Sequence, residues 1–169
     1  MDVANLSTGQ SLMLSEKLFN KVTEIINQLL VSTGAKTVLF CESNGYAVTQ
    51  VGAVREFDLH ALSSLAANNF SATAKMAGML GEDDSFKYLY HEGEKASLYI
   101  SNIGFNFILI VIFEVDVALG IIRIFTKKAI VELAKELQKA QDEGEQTRQL
   151  LDKEFKSLLS QELDRSLKF

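Results

Sequence analysis

The sequence predicts an α+β fold: a five-stranded antiparallel sheet with helices on its faces, plus a C-terminal amphipathic helix. Three observations support this fold class. Two β-rich runs flank an Asn-Gly dipeptide, which is typical of a hairpin. Three further β-rich runs follow one another as a meander. Segments with helical periodicity lie before, between and after these two groups of strands.

The first helix and the hairpin are the first predicted elements. Within residues 16–30, apolar residues recur at the spacing of one helical face, with Ser15 as the N-cap and Gly34 as the C-terminal stop. The β-rich runs at residues 37–42 and 46–51 then predict the two strands of the hairpin.

A second helix is predicted over residues 59–80, capped by Asp58 and stopped by Gly81. It is rich in alanine, serine and glycine, and small side chains let another backbone come close. Two interpretations explain these small residues: the helix contacts something besides its own sheet, or its alanines simply favour helix formation. Composition leaves both open. The predicted apolar face comprises Leu59, Leu62, Ala66, Phe70, Met76, Ala77 and Leu80.

Three strands are predicted after the second helix, at residues 86–91, 96–103 and 107–113. The last is almost entirely apolar, as expected of a strand that is covered on both faces. Another helix begins near residues 116–118.

The C-terminal region is predicted to be a separate element. Gly144, in the polar stretch 141–146, predicts a boundary between a domain at residues 15–140 and a linker with a helix at residues 141–169, while residues 1–14 form an N-terminal segment. Beyond Gly144, apolar residues at i+4 spacing predict a helix that binds a partner. These residues are Leu151, Phe155, Leu159, Leu163 and Leu167, and Leu150 and Leu158 broaden the band.

Composition restricts the class of protein. The 169 residues allow one domain with an extension, and the net charge of −5 without a basic run disfavours nucleic-acid binding. The lone Cys41 cannot form an intrachain disulfide, which suits a reducing compartment. We see no signal peptide and no apolar stretch long enough to span a membrane, so we expect a cytoplasmic protein.

Catalytic motifs are not found. Residues 32–37 (STGAKT) lack both glycines that a phosphate-binding loop requires. His60 and His91 have no companions at metal-ligand spacing, and Cys41 is interpreted as a packing residue. The sequence therefore predicts a protein without an active site of its own and without a catalytic, cofactor-binding or metal-binding residue.

The sequence contains, in order, the segments LSSLAANN at 62–69, HEG at 91–93, SLY at 97–99, IVIF at 110–113, LGIIR at 119–123 and KKA at 127–129. Taken together, these segments resemble the Roadblock family of dynein-light-chain-like proteins, and within it most closely the bacterial MglB subgroup. The resemblance extends over residues 16–137, where the predicted order of helices and strands also agrees with a Roadblock-type α/β sandwich.

The resemblance implies a homodimer with its second helices side by side and its central strands joined into one sheet. It further implies that the dimer binds a Ras-like small GTPase of the MglA type and stimulates GTP hydrolysis, in cell polarity or motility, while holding no nucleotide itself. Two alternatives stay open: an adaptor dimer without effect on GTP turnover, and a small-ligand sensor. The sensor would need a pocket with convergent polar groups.

Two groups of residues are the candidate binding sites. Arg55 lies in a loop that could reach a partner, but the resemblance favours stimulation through the GTPase's own switch segments over an arginine finger. The residues predicted to contact the GTPase are Arg55, Ser64, Asn68, Lys75, Leu151, Phe155, Leu159 and Leu163. The residues predicted to form the dimer interface are Ala66, Phe70, Ala77, Tyr88 and Tyr90.

Overall fold

The structure is a computed structural model that describes residues 14–53, 55, 58–83 and 85–166. Its element order is the predicted one except at the C-terminus, where the last two predicted helices form one helix, and most other boundaries lie within a few residues of the predicted positions. The elements are α1 (Glu16–Thr33), β1 (Thr37–Glu42), β2 (Ala47–Gly52), α2 (Leu59–Met79), β3 (Tyr88–Glu92), β4 (Ala96–Gly104), β5 (Phe107–Glu114) and α3 (Leu119–Ser166).

The five strands form one antiparallel sheet in the order β2-β1-β5-β4-β3. β5 lies at the centre and is buried from Phe107 to Phe113, as its apolar sequence predicts. β2 and β3 are the two edge strands. The predicted α+β fold with helices on both faces of a five-stranded sheet is therefore confirmed.

The sheet separates two apolar cores. On one face, α1 and the first half of α3 pack over side chains that include Phe40 and Phe113, and the α3 residues Leu133 and Leu137 are fully buried there. On the other face, α2 packs mainly over β1, β2 and β5, where it covers residues such as Leu39. Both faces of β1 and β5 are therefore covered.

Local signals in the sequence fix the ends of the first elements. The Leu18 backbone N–H donates to Ser15 Oγ over 3.2 Å, and the Ala61 N–H donates to Asp58 Oδ1 over 3.0 Å, so both predicted N-caps are confirmed. In the hairpin turn, Gly45 has φ +97°. A Cβ there would lie 2.8 Å from Ser64 Cα of α2, so the turn and the close contact with α2 both require glycine.

The helix boundary predicted at Gly144 is wrong, because α3 continues through it from Leu119 to Ser166. A glycine inside a helix costs only about 1 kcal/mol relative to alanine, and the chain contains no proline that would end the helix. The residues around it, such as Glu143, are compatible with a helix, and Thr147 Oγ1 donates to the Glu143 carbonyl over 2.9 Å. The C-terminal segment is thus a direct continuation of a core helix.

Cys41 is fully buried against Leu39 on the α2 side of β1, as predicted for a packing residue. Burial raises the pKa of its thiol from 9.0 to about 12. Its contribution to stability is therefore complete below pH 9 and is lost as the pH rises toward 12.

We expect iodoacetamide to alkylate Cys41 at pH 8 at least about tenfold more slowly in the folded protein than in urea, because the reactive thiolate is suppressed and shielded. Mass spectrometry of timed samples measures both rates. Equal rates in the two conditions would contradict the buried position.

Candidate interaction surfaces

The described residues contain no group of three or more side chains that could hold a metal ion. His60 is exposed in the first turn of α2, and His91 is exposed on β3 with its Nε2 3.5 Å from Asn69 Nδ2. Within the described part of the chain, no helix is long and apolar enough to cross a bilayer. The features that stand out are instead exposed apolar surfaces on α2 and α3.

The inner face of α2 is held by its own sheet. Ser63 Oγ donates to the Gly45 carbonyl over 2.8 Å, which ties the start of the helix to the hairpin turn. Ala66, Phe70 and Ala77 are buried in the same core. Their side chains are therefore covered within their own chain, and the dimer interface predicted at these three residues stays a prediction.

The outer face of α2 carries an apolar stripe that the sequence analysis did not single out. The exposed fractions are 66% for Leu65, 56% for Met76 and 88% for Met79. Met76 and Leu80 were predicted to face inward but are exposed, because the inward line of the helix runs through Ala77 instead. We define the α2 outer stripe as Ala61, Leu65, Asn68, Ala72, Met76 and Met79, which recur at intervals of three or four residues.

Of the predicted GTPase-contacting residues of α2, Asn68 lies within this stripe, and Ser64 and Lys75 flank it. Ser64, Asn68 and Lys75 are all exposed, and their i, i+4, i+11 spacing places them along one side of the helix. Ser64 also touches the Gly45 turn of the hairpin. The structure thus brings these three residues together on one surface.

The two tyrosines of the edge strand β3 stack on other aromatic rings of the same chain. Tyr88 stacks on Tyr99 at a centroid distance of 4.9 Å, and Tyr90 stacks on Phe113 at 6.2 Å, on the side of the sheet that α1 and α3 cover. These rings pack within their own chain, and the dimer interface predicted at Tyr88 and Tyr90 stays a prediction. Among the described strands, none pairs with the outer backbone edge of β3.

The chain has four arginines, and their surroundings differ. Arg55 is exposed in the segment between β2 and α2. The Arg123 guanidinium lies 5.0 Å above the centroid of the Tyr88 ring, a cation–π contact that fixes it against the sheet. Arg148 is exposed on α3, and Arg165 lies 4.0 Å from Glu162.

The second half of α3 projects beyond the core. The last side chains that pack against the other elements are Leu137 and, partly, Ala140, and every described side chain from residue 142 onward is exposed. The exposed fractions of Phe155 and Leu159 are 66% and 51%. Leu167 lies outside the described residues. We define the C-terminal band as Leu150, Leu151, Phe155, Leu158, Leu159 and Leu163, all of which are exposed.

A sequence model of the Roadblock/LC7 domain matches residues 21–113. MglB from Myxococcus xanthus is 33% identical, with a TM-score of 0.71 over 75% of this chain and 94% of that chain. The gliding protein MglB from Thermus thermophilus is 28% identical, with a TM-score of 0.71 over 76% of this chain and 97% of that chain. No curated protein matches the sequence. The chain therefore belongs to the Roadblock/LC7 family.

Proposed function

We propose that this protein is a homodimeric regulator of an MglA-type Ras-like GTPase, which it binds and whose GTP hydrolysis it stimulates in the cytoplasm, in the control of cell polarity or motility. The observation that carries the proposal is the 33% identity to Myxococcus xanthus MglB over 94% of that chain. The same resemblance to the MglB subgroup implies a GTPase partner.

The exposed surfaces support the homodimer. An unpaired strand edge invites pairing, and a two-fold axis through β3 would pair this edge with its own copy. Leu89 and Leu98 lie on the α2 side of the sheet near this edge and are only half-buried. A second α2 beside the first would cover them together with the α2 outer stripe, whose small residues permit close approach.

The GTPase would contact two surfaces that the dimer leaves exposed. One is the side of α2 that carries Ser64 and Lys75, next to the hairpin turn. The other is the C-terminal band, whose apolar side chains have no partner within the described chain. An amphipathic helix that lies in an apolar groove is a common mode of protein recognition.

Stimulation of hydrolysis is proposed to act on the GTPase's own switch segments. An arginine finger supplied in trans contributes about 10³–10⁵ to the rate of a GTPase. Arg123 is held against Tyr88, and of the three remaining arginines, all exposed, only Arg55 lies in a loop. We therefore expect Arg55→Ala to reduce stimulated turnover by less than about tenfold.

Single-turnover hydrolysis at saturating protein measures the effect of Arg55→Ala, with Arg148→Ala as the matched control on the projecting helix. A loss of about a hundredfold or more for Arg55→Ala alone, with binding intact, would show that Arg55 is an arginine finger.

A binding measurement tests whether an MglA-type GTPase is a partner of this protein. Titration calorimetry of the protein with an MglA-type GTPase from the same organism, loaded with GTPγS or with GDP, should give saturable binding that favours the GTPγS form. The absence of binding to either form would contradict the proposed function.

A further inference from the structure

A cavity of about 670 Å³ lies between the first half of α3 and the β3–β4 edge of the sheet. Its volume falls within the range of small-molecule sites, and it is on the opposite side of the sheet from α2. Tyr88 and Tyr99 form its sheet wall, because Tyr88 pairs with Ser101 in register and all three residues point toward α3. The cavity lies on the opposite face from the α2 outer stripe and away from the C-terminal band, whereas its Lys87–Tyr88 wall adjoins the β3 edge that is proposed to pair in the dimer.

Three cationic side chains converge on this cavity. Arg123 and Lys127 are one helical turn apart on α3, and Lys87 precedes β3 on the facing wall. Among the described residues, no carboxylate lies within ion-pair distance of any of the three. In a chain with a net charge of −5, this is a local positive site without a counter-charge.

Uncharged polar groups line the same cavity. Thr126, only 1% exposed, borders it, and its hydroxyl has no hydrogen-bond partner in the described structure. A buried hydroxyl without a partner costs free energy, so an acceptor that reached Thr126 Oγ1 would be favoured. Burial raises the pKa of Tyr99, and hydrogen bonding to Ser101 and Arg123 only partly offsets this, so the phenol stays neutral and can donate.

We infer that this cavity binds a small organic anion, with its charged group between Arg123, Lys127 and Lys87 and its apolar part against Tyr99 and the aliphatic wall of α3. Arginine and lysine recognise both carboxylates and phosphates, whereas the tyrosine wall favours a flat or apolar body. The site would make this Roadblock protein responsive to a ligand as well as to protein partners.

An NMR titration of the ¹⁵N-labelled full-length protein with phenyl phosphate, followed by its amide chemical shifts, tests this inference. We expect saturable shifts at Gly120, Arg123 and Lys127, and weaker binding to inorganic phosphate, which lacks the apolar part. Lys127→Gln should weaken phenyl phosphate binding about tenfold, because a charge-assisted hydrogen bond is lost. Thr126→Val should weaken it several-fold, and Thr126→Ser should restore it.

Lys128→Gln is the matched control, because Lys128 is the next residue of α3 but faces α1 rather than this cavity. It should leave the affinity unchanged. The inference is overturned if phenyl phosphate shifts no cavity amide up to about 10 mM. It is also overturned if Lys128→Gln weakens binding as much as Lys127→Gln, or if only an acidic peptide binds, which would make the cavity a protein contact.

Discussion

Replacing Phe155 and Leu159 together by alanine is expected to weaken GTPase binding at least about tenfold while the dimer stays folded. Both side chains are largely exposed, so their removal leaves no cavity in the core. Burial of one large apolar side chain at an interface contributes roughly 1.5–3 kcal/mol, and 1.4 kcal/mol corresponds to a factor of ten in affinity. Titration calorimetry against the GTPγS-loaded GTPase measures the loss.

A matched control variant on the same helix distinguishes the loss of the apolar contact with the GTPase from a general disturbance of α3. Lys153→Ala with Lys156→Ala removes two exposed side chains outside the C-terminal band and should change the affinity little.

A protein that lacks residues 145–169 should remain a folded dimer, because Leu133 and Leu137 keep α3 anchored in the core. If the truncated dimer binds the GTPase with unchanged affinity, the band is not a partner-binding element.

Replacing Leu65 and Met76 together by glutamate is expected to convert the dimer into a folded monomer. The two side chains lie on the α2 outer stripe and are exposed within the chain, so the fold itself should tolerate the charges. At a two-fold contact between α2 helices, each charge would face its own copy or an apolar neighbour at low dielectric. Multi-angle light scattering at micromolar concentration measures the mass, and circular dichroism verifies the fold.

The control for this double variant is Ser71→Glu, an exposed position of α2 outside the outer stripe. This variant should keep the mass of the dimer. A monomer mass for the unmodified protein, or a dimer mass for the double variant, would show that the α2 outer stripe is not the contact between copies.

Local signals explain why the fold could be predicted from the sequence. Ser15 and Asp58 cap helices, and the turn at Gly45 needs both a positive φ and a close approach to α2. The two caps and the Asn-Gly turn act within a few residues, so they can be recognised without knowledge of the tertiary structure, whereas the close approach of Gly45 to α2 is visible only in the fold. The error at Gly144 has the same origin, because a weak helix-breaking signal was interpreted without the continuous helix that it interrupts.

The surfaces were less predictable, because they depend on which side of an element the rest of the chain covers. Ala66 and Phe70 are residue types that suit a contact between helices, but they face their own sheet, whereas the neighbouring Leu65 is exposed. The spacing of Leu65, Met76 and Met79 was a signal in the sequence that could have indicated the outer stripe. The cavity beside Arg123 had no such signal, since Tyr88 and Thr126 meet only through the tertiary structure.

The most direct test of the central claim is single-turnover GTP hydrolysis by the MglA-type GTPase, measured with and without this protein at saturating concentration. The proposed function predicts a rate increase of at least about tenfold, and the increase should be lost in the Phe155→Ala/Leu159→Ala variant at concentrations near the dissociation constant. An unchanged rate in the presence of demonstrated binding would contradict the claim and identify the dimer as an adaptor.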